Sequence, residues 1–502
     1  MKKTGILFIL LAICSGAFSQ TVDEKIKRFE QNVYHWDKTK QRTLSLKQLM
    51  ELYGANAISI AMVKDYKIEW AKAYGYADVS EKRTATVNTL FQAASISKSI
   101  NSLGVLKLSE EGKINLDTDI NQYLKSWQFP YDSLSKDKKI TVAQLLNHTA
   151  GLSTHGFGGY TITAPLPTII QILNGTAPAN SGAVRSLFEP GLKSKYSGGG
   201  TTITQLIIED MTKQKYENYM QQQVLSPLNM TASSYTQPPV KTTAYPLATG
   251  YYRQDKEVDG KYHIYPEKGA AGLWTNPTDL SKYIIETQLS LTGKSNKILS
   301  TTTSLKRIDD NLGVFVLNFE GAKYFMHNGQ NEGFTCVYIG SVEGGDGLVI
   351  MTNSNDGRIL NDIACGLIGL NQWKNFPLEV SKKPINLAIR KESLKSIDQG
   401  IALYYELKKK YPNDYNFENE SELNNFGYEL MNEGKLEAAL KIFDVNVREF
   451  PASANVYDSR GEAYFKLKKY ELSKKDYQKA LELDPTTATA KEMLIKIEAL
   501  LK

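Results

Sequence analysis

An internal repeat near the C-terminus constrains the fold of this chain more than any other sequence feature. Similar residues recur at a spacing of 34 positions between about residues 420 and 486. The pairs are Leu423 and Tyr457, Gly427 and Gly461, Leu430 and Tyr464, Ala439 and Ser473, Phe443 and Tyr477, and Pro451 and Pro485. Such a period predicts stacked helical units, each of which buries its apolar face against the next unit.

The details of the period identify the kind of unit. Glycine falls in the first helix, small residues fall in the second, and a proline closes each unit, a pattern that resembles the tetratricopeptide repeat. We expect a capping helix over 489–501 and a less regular helix over 394–411. The resemblance implies an all-α repeat domain over 390–502 that binds a protein partner in its groove.

Length and charge bound the rest of the chain. A chain of 502 residues exceeds what one hydrophobic core supports, so at least two domains are expected. The net charge of +6 is spread over the whole sequence rather than gathered in one basic block. Nucleic acid is therefore not expected as a partner.

The N-terminus has the pattern of a secretory signal peptide over 1–19. Lys2 and Lys3 precede an apolar run over 6–13 that is too short to cross a bilayer, and small residues follow at 17–19. Lipidation at Cys14 is the less favoured alternative. No later apolar stretch is long enough to predict a transmembrane segment, so we expect a periplasmic or extracellular protein. The remaining cysteines, Cys336 and Cys365, are each expected to be small buried residues rather than a disulfide framework.

Strand-like segments lie at both ends of the region before the repeats. Two of them form a predicted hairpin over 57–63 and 67–74. The others lie at 314–317, 324–326, 335–339 and 348–352. Because helical and loop segments separate the two groups, the sequence predicts one domain over 20–380 whose sheet is built from both ends of the domain.

Within this region Ser95 and Lys98 form a Ser-x-x-Lys element at a predicted helix start. Residues three apart share one helix face, so the Ser95 hydroxyl and the Lys98 ammonium are expected to meet. A serine hydroxyl is a weak nucleophile until a neighbouring base or cation activates it. Ser95 is therefore the candidate nucleophile.

Two further elements follow in the chain. Tyr196 and Gly198 lie in a segment that resembles Tyr-x-Asn, with glycine in the place of asparagine. His327 and Gly329 lie in a segment that resembles the Lys-Thr-Gly or His-Thr-Gly element. In this order the three elements resemble class C β-lactamases, serine DD-peptidases and related esterases. That family implies an α+β fold with an antiparallel sheet and a helical subdomain.

The resemblance also implies a mechanism without a cofactor. Ser95 would attack an ester or amide carbonyl to form an acyl-enzyme. The Lys98 cation would favour the phenolate of Tyr196, which would act as general base. The backbone amides of Ser95 and Gln330 would form the oxyanion hole, and Gly329 would leave room for substrate on the strand edge.

Departures from the family pattern bear on the substrate. An imidazole at His327 is mostly neutral at pH 7, whereas lysine there would offer a permanent cation to a carboxylate. Gly198 lacks the amide that asparagine would offer to an acylamido substrate. Both changes favour an esterase, or a peptidase acting on D-amino-acid or peptidoglycan-type amides, over an efficient β-lactamase.

Two alternatives to a serine hydrolase are an inactive binding protein and a metal-dependent enzyme. An inactive relative that only senses peptidoglycan fragments while its repeats recruit a partner would have no need for an activated serine. A metal site is not expected, because there is no HExxH element and the histidines at 35, 148, 155, 263 and 327 lack ligand spacing. His148, Trp274 and Asp279 belong to further family landmarks, and we interpret them as packing and turn residues.

Overall fold

The computed structural model describes residues 21–35, 43–253, 256–378 and 382–501. The predicted signal peptide and Cys14 lie outside these residues.

Helices account for most of the regular structure. In the first part of the chain they are α1 (Val22–Gln31), α2 (Leu46–Tyr53), α3 (Ser97–Glu110), α4 (Val142–Leu146), α5 (Ile169–Asn174), α6 (Gly198–Thr212), α7 (Tyr216–Met220), α8 (Lys268–Ala271), α9 (Pro277–Leu291), α10 (Thr301–Asp309) and α11 (Arg358–Asn371). The later helices are α12 (Ile385–Lys395), α13 (Ile397–Lys410), α14 (Ser421–Asn432), α15 (Leu436–Glu449), α16 (Ala454–Lys466), α17 (Tyr470–Leu483) and α18 (Ala488–Leu500).

The strands of the main sheet lie before and after the helical middle of the first part, and a few strands of two or three residues lie within it. The strands are β1 (Tyr34–His35), β2 (Thr43–Leu44), β3 (Ala57–Lys64), β4 (Lys67–Asp78), β5 (Arg83–Thr84), β6 (Phe91–Gln92), β7 (Tyr251–Arg253), β8 (Lys256–Glu257), β9 (Trp274–Thr275), β10 (Phe315–Phe319), β11 (Ala322–Asn331), β12 (Phe334–Ser341) and β13 (Gly347–Thr352).

The main sheet joins strands from both ends of this part of the chain. Its order is β10-β11-β12-β13-β3-β4-β5, and every neighbouring pair is antiparallel. The link between the two ends is the pairing of β13 with β3, in which Ile350 lies opposite Ile60. The antiparallel sheet and the helical middle predicted from the sequence are thus confirmed.

Each face of the sheet covers a separate apolar core. On β12, Cys336 and Tyr338 point into the core shared with α3, α6 and α9, whereas Val337 and Ile339 point into the core under α1, α2 and α11. This alternation is the period-two pattern of a strand buried on both faces. The larger of the two cores extends through the helical middle, which carries the candidate site.

The C-terminal repeats form two helix pairs, α14–α15 and α16–α17. A Cβ atom at Gly427 would lie 2.4 Å from the ring of Phe443, so the ring of the second helix packs directly on the backbone of the first. Tyr477 lies against Gly461 in the same way. This close approach explains why glycine and an aromatic residue recur together at the repeat period. Helix α18 follows as the expected capping helix.

The helix expected over 394–411 is present as α13. The sequence did not predict α12, which precedes it and meets it at Ser396 in an extended conformation (φ −153°, ψ 121°). Ile385 and Ile389 of α12 join the apolar core of the first repeat.

Ion pairs join the helical part to the sheet domain. Arg253 at the end of β7 contacts Glu429 and Glu433 of α14. Arg358 at the start of α11 lies 3.3 Å from Glu422 of the same helix. Helix α12 takes part as well, since Asn386 accepts from Arg358 at 3.4 Å and Leu387 packs against the core under α1, α2 and α11.

The two cysteines that were expected to be buried differ in exposure. Cys336 is buried as expected, but Cys365 on α11 is only half-buried, because its position on the helix lies at the edge of the apolar face. Within the described part of the chain, no helix combines the length and the apolar character that crossing a membrane requires.

Candidate active site

The candidate nucleophile lies on a short turn between a strand and a helix. Strand β6 pairs with β9, and the N–H of Ala93 donates to the Leu273 carbonyl at 2.8 Å, which fixes the end of the strand. Ala94 then adopts a left-handed backbone conformation (φ +46°) and begins a single 3₁₀ turn that leads into α3. A non-glycine residue in this conformation is strained, a feature that often occurs at functional sites. The turn leaves Ser95 half-buried at the start of the helix.

Lys98 lies one helical turn further on and is almost fully buried. Its ammonium donates to Ser95 Oγ at 3.0 Å and to the carbonyl of Ala270 at 2.8 Å. The ammonium also lies 5.0 Å from the centre of the Tyr196 ring. The structure therefore brings together all three side chains that the sequence singled out, with the cation between the hydroxyl and the phenol ring.

Tyr196 is held by the residue that follows it. The Ser197 hydroxyl accepts from the N–H of Gly200 at 3.0 Å and so caps α6, and it donates to the Ser153 carbonyl at 2.7 Å. Serine is a favoured N-cap because its oxygen satisfies a free amide of the first helical turn. The cap fixes the start of α6 and places the half-buried Tyr196 ring at the edge of the site.

His327 lies on β11, with its ring 6.2 Å from that of Tyr196. Its side chain is almost fully buried. Burial, together with the nearby Lys98 cation, lowers the pKa of His327 to about 3. The ring is then neutral at pH 7, and its Nδ1 atom lies 2.6 Å from the Asn328 carbonyl, which can only accept. Nδ1 therefore carries the proton, and Nε2 is an acceptor.

The strand edge at His327 is open toward the site. Strand β10 pairs with β11 only as far as Met326, so from His327 to Asn331 the described strands offer β11 a partner on the β12 side alone. A Cβ atom at Gly329 would lie 2.4 Å from the Ala93 carbonyl and 3.0 Å from Ala94 Cβ. Glycine is therefore required by the close approach of β11 to the turn that carries Ser95, and not only by the space for substrate that the sequence suggested. Gln330 is the next residue on this edge.

Helix α8 connects the two halves of the site. The Ala270 carbonyl accepts from Lys98, and the Ala271 carbonyl accepts from Asn331 Nδ2 at 3.1 Å. Asn331 also donates to Gln92 Oε1 at 2.7 Å. Successive carbonyls of one short helix thus fix the lysine side chain and the end of β11 relative to each other.

Two histidines surround Tyr196: His148, which the sequence analysis interpreted as a packing residue, and His155, to which it assigned no role. The His148 ring lies 4.4 Å from the Tyr196 ring, and the His155 ring lies 4.9 Å from it. His148 Nδ1 accepts from the N–H of Ser197 at 3.3 Å. Burial and the Lys98 cation lower the pKa of His148 to about 3, so this ring is neutral as well. These contacts have no signature in the sequence, because His148 and His155 lie far from Tyr196 along the chain.

A small cavity of about 220 Å³ adjoins this ring cluster. Leu146, Val314 and Phe315 supply apolar walls, and His148 and His327 line the side toward Tyr196. Asp310 and Asn311 supply polar groups to its lining. The site is thus an open strand edge with an adjoining, mainly apolar recess.

The other landmark residues lie in the packing of the domain, in agreement with their interpretation. Trp274 is buried against the rings of Tyr262 and Phe334. Asp279 accepts from the N–H of Ala232 at 3.0 Å and from the Ser233 hydroxyl at 2.8 Å. Across residues 21–35, 43–253, 256–378 and 382–501, no group of three or more histidine, cysteine or acidic side chains is placed to hold a metal ion.

The sheet order, the helical middle and the placement of Ser95 at a helix start define the architecture of the penicillin-recognising serine enzymes. A family model described as "Beta-lactamase" matches residues 45–362, more than half of the chain. The chain belongs to this family. A tetratricopeptide repeat model matches residues 454–487, which correspond to α16, α17 and the following turn.

Curated relatives match the same region. Protein flp of Staphylococcus aureus (strain N315) is 28% identical over 311 residues, which are 59% of this chain and 59% of that protein. Penicillin-binding protein 4* of Bacillus subtilis (strain 168) is 27% identical over 164 residues, 32% of this chain and 33% of that protein. The chain therefore spans 59% of the length of the first of these relatives and a smaller share of the second.

Solved structures show the same fold. The octameric penicillin-binding protein homologue from Pyrococcus abyssi aligns with a TM-score of 0.55 at 23% identity, covering 65% of this chain and 76% of that one. The D-amino acid amidase from Ochrobactrum anthropi SV3 aligns with a TM-score of 0.54 at 20% identity, covering 64% of this chain and 98% of that one. At such identities the likeness extends to the fold alone.

Proposed function

We propose that this protein is an exported serine hydrolase that acts on ester or amide substrates through an acyl-enzyme on Ser95. The observation that carries the proposal is the contact of Lys98 Nζ with Ser95 Oγ at 3.0 Å beside the ring of Tyr196. A buried cation is costly unless it has partners, and Lys98 is directed at the serine by its second bond, to Ala270. This arrangement supports an activated nucleophile rather than a surface ion.

In the acylation step Tyr196 acts as the general base. The Lys98 cation stabilises the phenolate form, which takes the proton of Ser95 as Oγ attacks the substrate carbonyl. The backbone amides of Ser95 and Gln330 donate to the oxygen that becomes negative in the tetrahedral intermediate. When the intermediate collapses, the bond to the leaving group breaks, and the proton moves from Tyr196 to the departing alcohol or amine.

Deacylation repeats the same proton movements with water. Water gives its proton to the Tyr196 phenolate and adds to the ester carbonyl of the acyl-enzyme. The carboxylic acid product leaves as Ser95 Oγ takes the proton back, so the enzyme returns to its starting state and the atoms of one water molecule appear in the products.

The polar groups of the site favour esters and amides that need no charged recognition. His327 is neutral and its Nδ1 proton is directed to a backbone carbonyl, so it supplies no cation for a substrate carboxylate. Gly198 supplies no side-chain amide. These features support an esterase, or a peptidase acting on D-amino-acid or peptidoglycan-type amides, over an efficient β-lactamase. The structural likeness to a D-amino acid amidase supports the amide option at the level of fold.

The chain divides, in this proposal, into an export signal over 1–19, a hydrolase domain over 20–380 and a repeat domain over 390–502. Every side chain assigned to the chemistry lies before residue 331. The helix pairs that resemble tetratricopeptide repeats would bind a protein or cell-envelope partner, and the substrate would be a small molecule or peptide with an ester or amide bond.

A covalent probe tests the proposal against the alternative of an inactive binding protein. Purified protein is treated with an alkyl fluorophosphonate, and intact mass and peptide mapping locate the adduct. The same preparation is screened with small esters, D-amino-acid amides, muropeptides and a chromogenic cephalosporin. We expect labelling at Ser95 and turnover of at least one ester or amide, with both lost in Ser95→Ala. An unlabelled Ser95 in folded protein, or turnover that persists in Ser95→Ala, would contradict the proposal.

A further inference from the structure

Gly198 is the first residue of α6, and a separate loop lies directly on it. The N–H of Gly198 donates to the His155 carbonyl at 3.0 Å, and the N–H of Gly199 donates to the Thr154 carbonyl at 3.1 Å. These bonds fix the loop at the position from which, in the related Tyr-x-Asn element, an asparagine side chain would project. The loop also carries His155, whose ring contacts Tyr196, so it forms part of the wall of the site.

The ring of Phe157 occupies that position. A Cβ atom built on Gly198 would lie 3.0 Å from Phe157 Cε2 and 3.1 Å from the His155 carbonyl oxygen. An asparagine side chain would need this space and more, so it could enter only if the phenyl ring moved. Phe157 is itself only half-buried, which leaves part of its ring available beyond the glycine.

The ammonium group of Lys98 is held in place without a side-chain amide. Lys98 donates to Ser95 Oγ and to the Ala270 carbonyl, so its position does not depend on a side-chain amide from residue 198. Position 198 therefore needs no polar side chain, and the apolar ring of Phe157 can lie there. A hydrogen-bonding group of a substrate that was buried against the Phe157 ring would lose its water without gaining a partner, which is unfavourable.

We infer that Phe157, seated on Gly198, is a specificity-determining residue that selects substrates with an apolar acyl group and rejects those with an acylamido group next to the reacting carbonyl. This inference rests on the proposed serine hydrolase function and narrows its substrate class. The acyl chain gains affinity by leaving water for the phenyl surface, whereas the Phe157 ring offers an acylamido N–H and carbonyl no hydrogen-bond partner.

A chain-length series measures the effect of the wall. The substrates are p-nitrophenyl acetate, butyrate and hexanoate, with p-nitrophenyl N-acetylglycinate as the acylamido counterpart. We expect kcat/KM of the wild-type enzyme to rise about threefold per added methylene, in proportion to the apolar surface buried. In Phe157→Ala this rise should fall to less than about 1.5-fold per methylene, while Phe157→Leu should keep most of it. Leu166→Ala, which removes an exposed apolar side chain elsewhere on the same segment, is the matched control.

A gain-of-function variant tests the second half of the inference. The double variant Phe157→Ala with Gly198→Asn adds an amide and removes the ring nearest to it, so that only the His155 carbonyl must yield. Its preference for the acylamido ester relative to the butyrate ester should rise at least about tenfold. If the double variant does not fold, Phe157→Asn, which places an amide on the wall without filling position 198, should raise the same ratio. An unchanged ratio in the folded variant would overturn the inference that the wall rejects acylamido substrates.

The rate of Ser95 labelling by methyl, butyl and hexyl fluorophosphonates separates failure of this inference from failure of the proposed function. Labelling that is specific for Ser95 but has the same rate for all three chains, with no effect of Phe157→Ala, would overturn the wall and leave the hydrolase proposal intact. No labelling of Ser95 by any chain would overturn both. Faster labelling by longer chains that depends on Phe157 would support the wall even where ester turnover is slow.

Discussion

The Nδ1 atom of His148 accepts a hydrogen bond from the N–H of Ser197 at 3.3 Å, and its ring lies 4.4 Å from that of Tyr196. His148 has a left-handed backbone conformation (φ +61°), which is uncommon for residues other than glycine. The hydrogen bond holds the imidazole against the candidate base. We therefore expect His148 to act as a positioning residue for Tyr196.

Replacing His148 by asparagine should separate this positioning role from the backbone requirement. Asparagine tolerates the left-handed conformation but cannot supply a ring. We expect kcat for a small ester to fall about tenfold with KM changed less than twofold, because a displaced Tyr196 impairs proton transfer and not substrate binding. Steady-state kinetics and a thermal melt check this result. A loss of stability with unchanged kcat would mean that the histidine only packs.

Lys98→Ala and Tyr196→Phe should each lower kcat about 100-fold or more, because each removes a group that holds or moves the proton of Ser95. Since the two side chains contact each other as one unit, the double variant should be little slower than the slower single variant. Single-turnover kinetics on an activated ester measures all three. Near wild-type rates for Tyr196→Phe would move the base elsewhere, most directly to Lys98.

The sequence predicted the fold well where periodicity is strong. Both hairpin strands, the later sheet strands and the two repeat units lie where the patterns indicated, because each contributes regular apolar positions to a core. Ser95, Lys98 and Tyr196 could be found because their elements have fixed internal spacing. His148, His155 and Phe157 could not, since they reach Tyr196 and Gly198 from loops whose paths depend on tertiary packing.

Glu267 makes the folded state less stable as the pH rises from about 4.5 to about 7. Its side chain is fully buried, and the hydroxyl of Tyr160 lies beside its carboxyl group. Burial raises the pKa of Glu267 from 4.5 to about 7, so between these values the folded state holds a proton that the unfolded state releases. The free energy of unfolding should then fall by about 1.4 kcal/mol per pH unit as the pH rises through this window.

Glu267→Gln checks this directly, because glutamine stays neutral at every pH. Urea denaturation at pH 5 and pH 8 should show a smaller loss of stability in the variant than in the wild type over this interval. Because each protein is compared with itself at the two pH values, any effect of the substitution on the free energy of unfolding that does not depend on pH cancels. Parallel pH dependence in the two proteins would mean that the carboxyl group of Glu267 titrates at its usual pKa.

His327 sets a corresponding limit on the acid side. Its pKa is lowered from 6.5 to about 3, so between these values the unfolded state binds a proton that the folded state does not. The free energy of unfolding should therefore fall as the pH is lowered below 6.5, by about 1.4 kcal/mol per pH unit for this group. His327→Gln should reduce that slope in urea denaturation between pH 6 and pH 4. An unchanged slope would show that the ring is protonated in the folded state.

The helices beyond residue 382 contact the sheet domain through ion pairs of Arg358 with Glu422 and Arg253 with Glu429. Leu387 also packs against the core under α1, α2 and α11. None of these residues contacts Ser95 or Tyr196.

Truncation tests whether the repeats are needed for activity. Residue 390 lies within α12, so the truncated variant ends at Leu378 and leaves this helix out completely. We expect kcat/KM for a small ester to stay within about threefold of the full chain, and stability to fall by about 1 kcal/mol, because the freed arginines regain water. Capture of a protein or cell-envelope partner should be lost. A truncated enzyme that is folded by circular dichroism yet more than tenfold slower would mean that the repeats belong to the architecture of the active site.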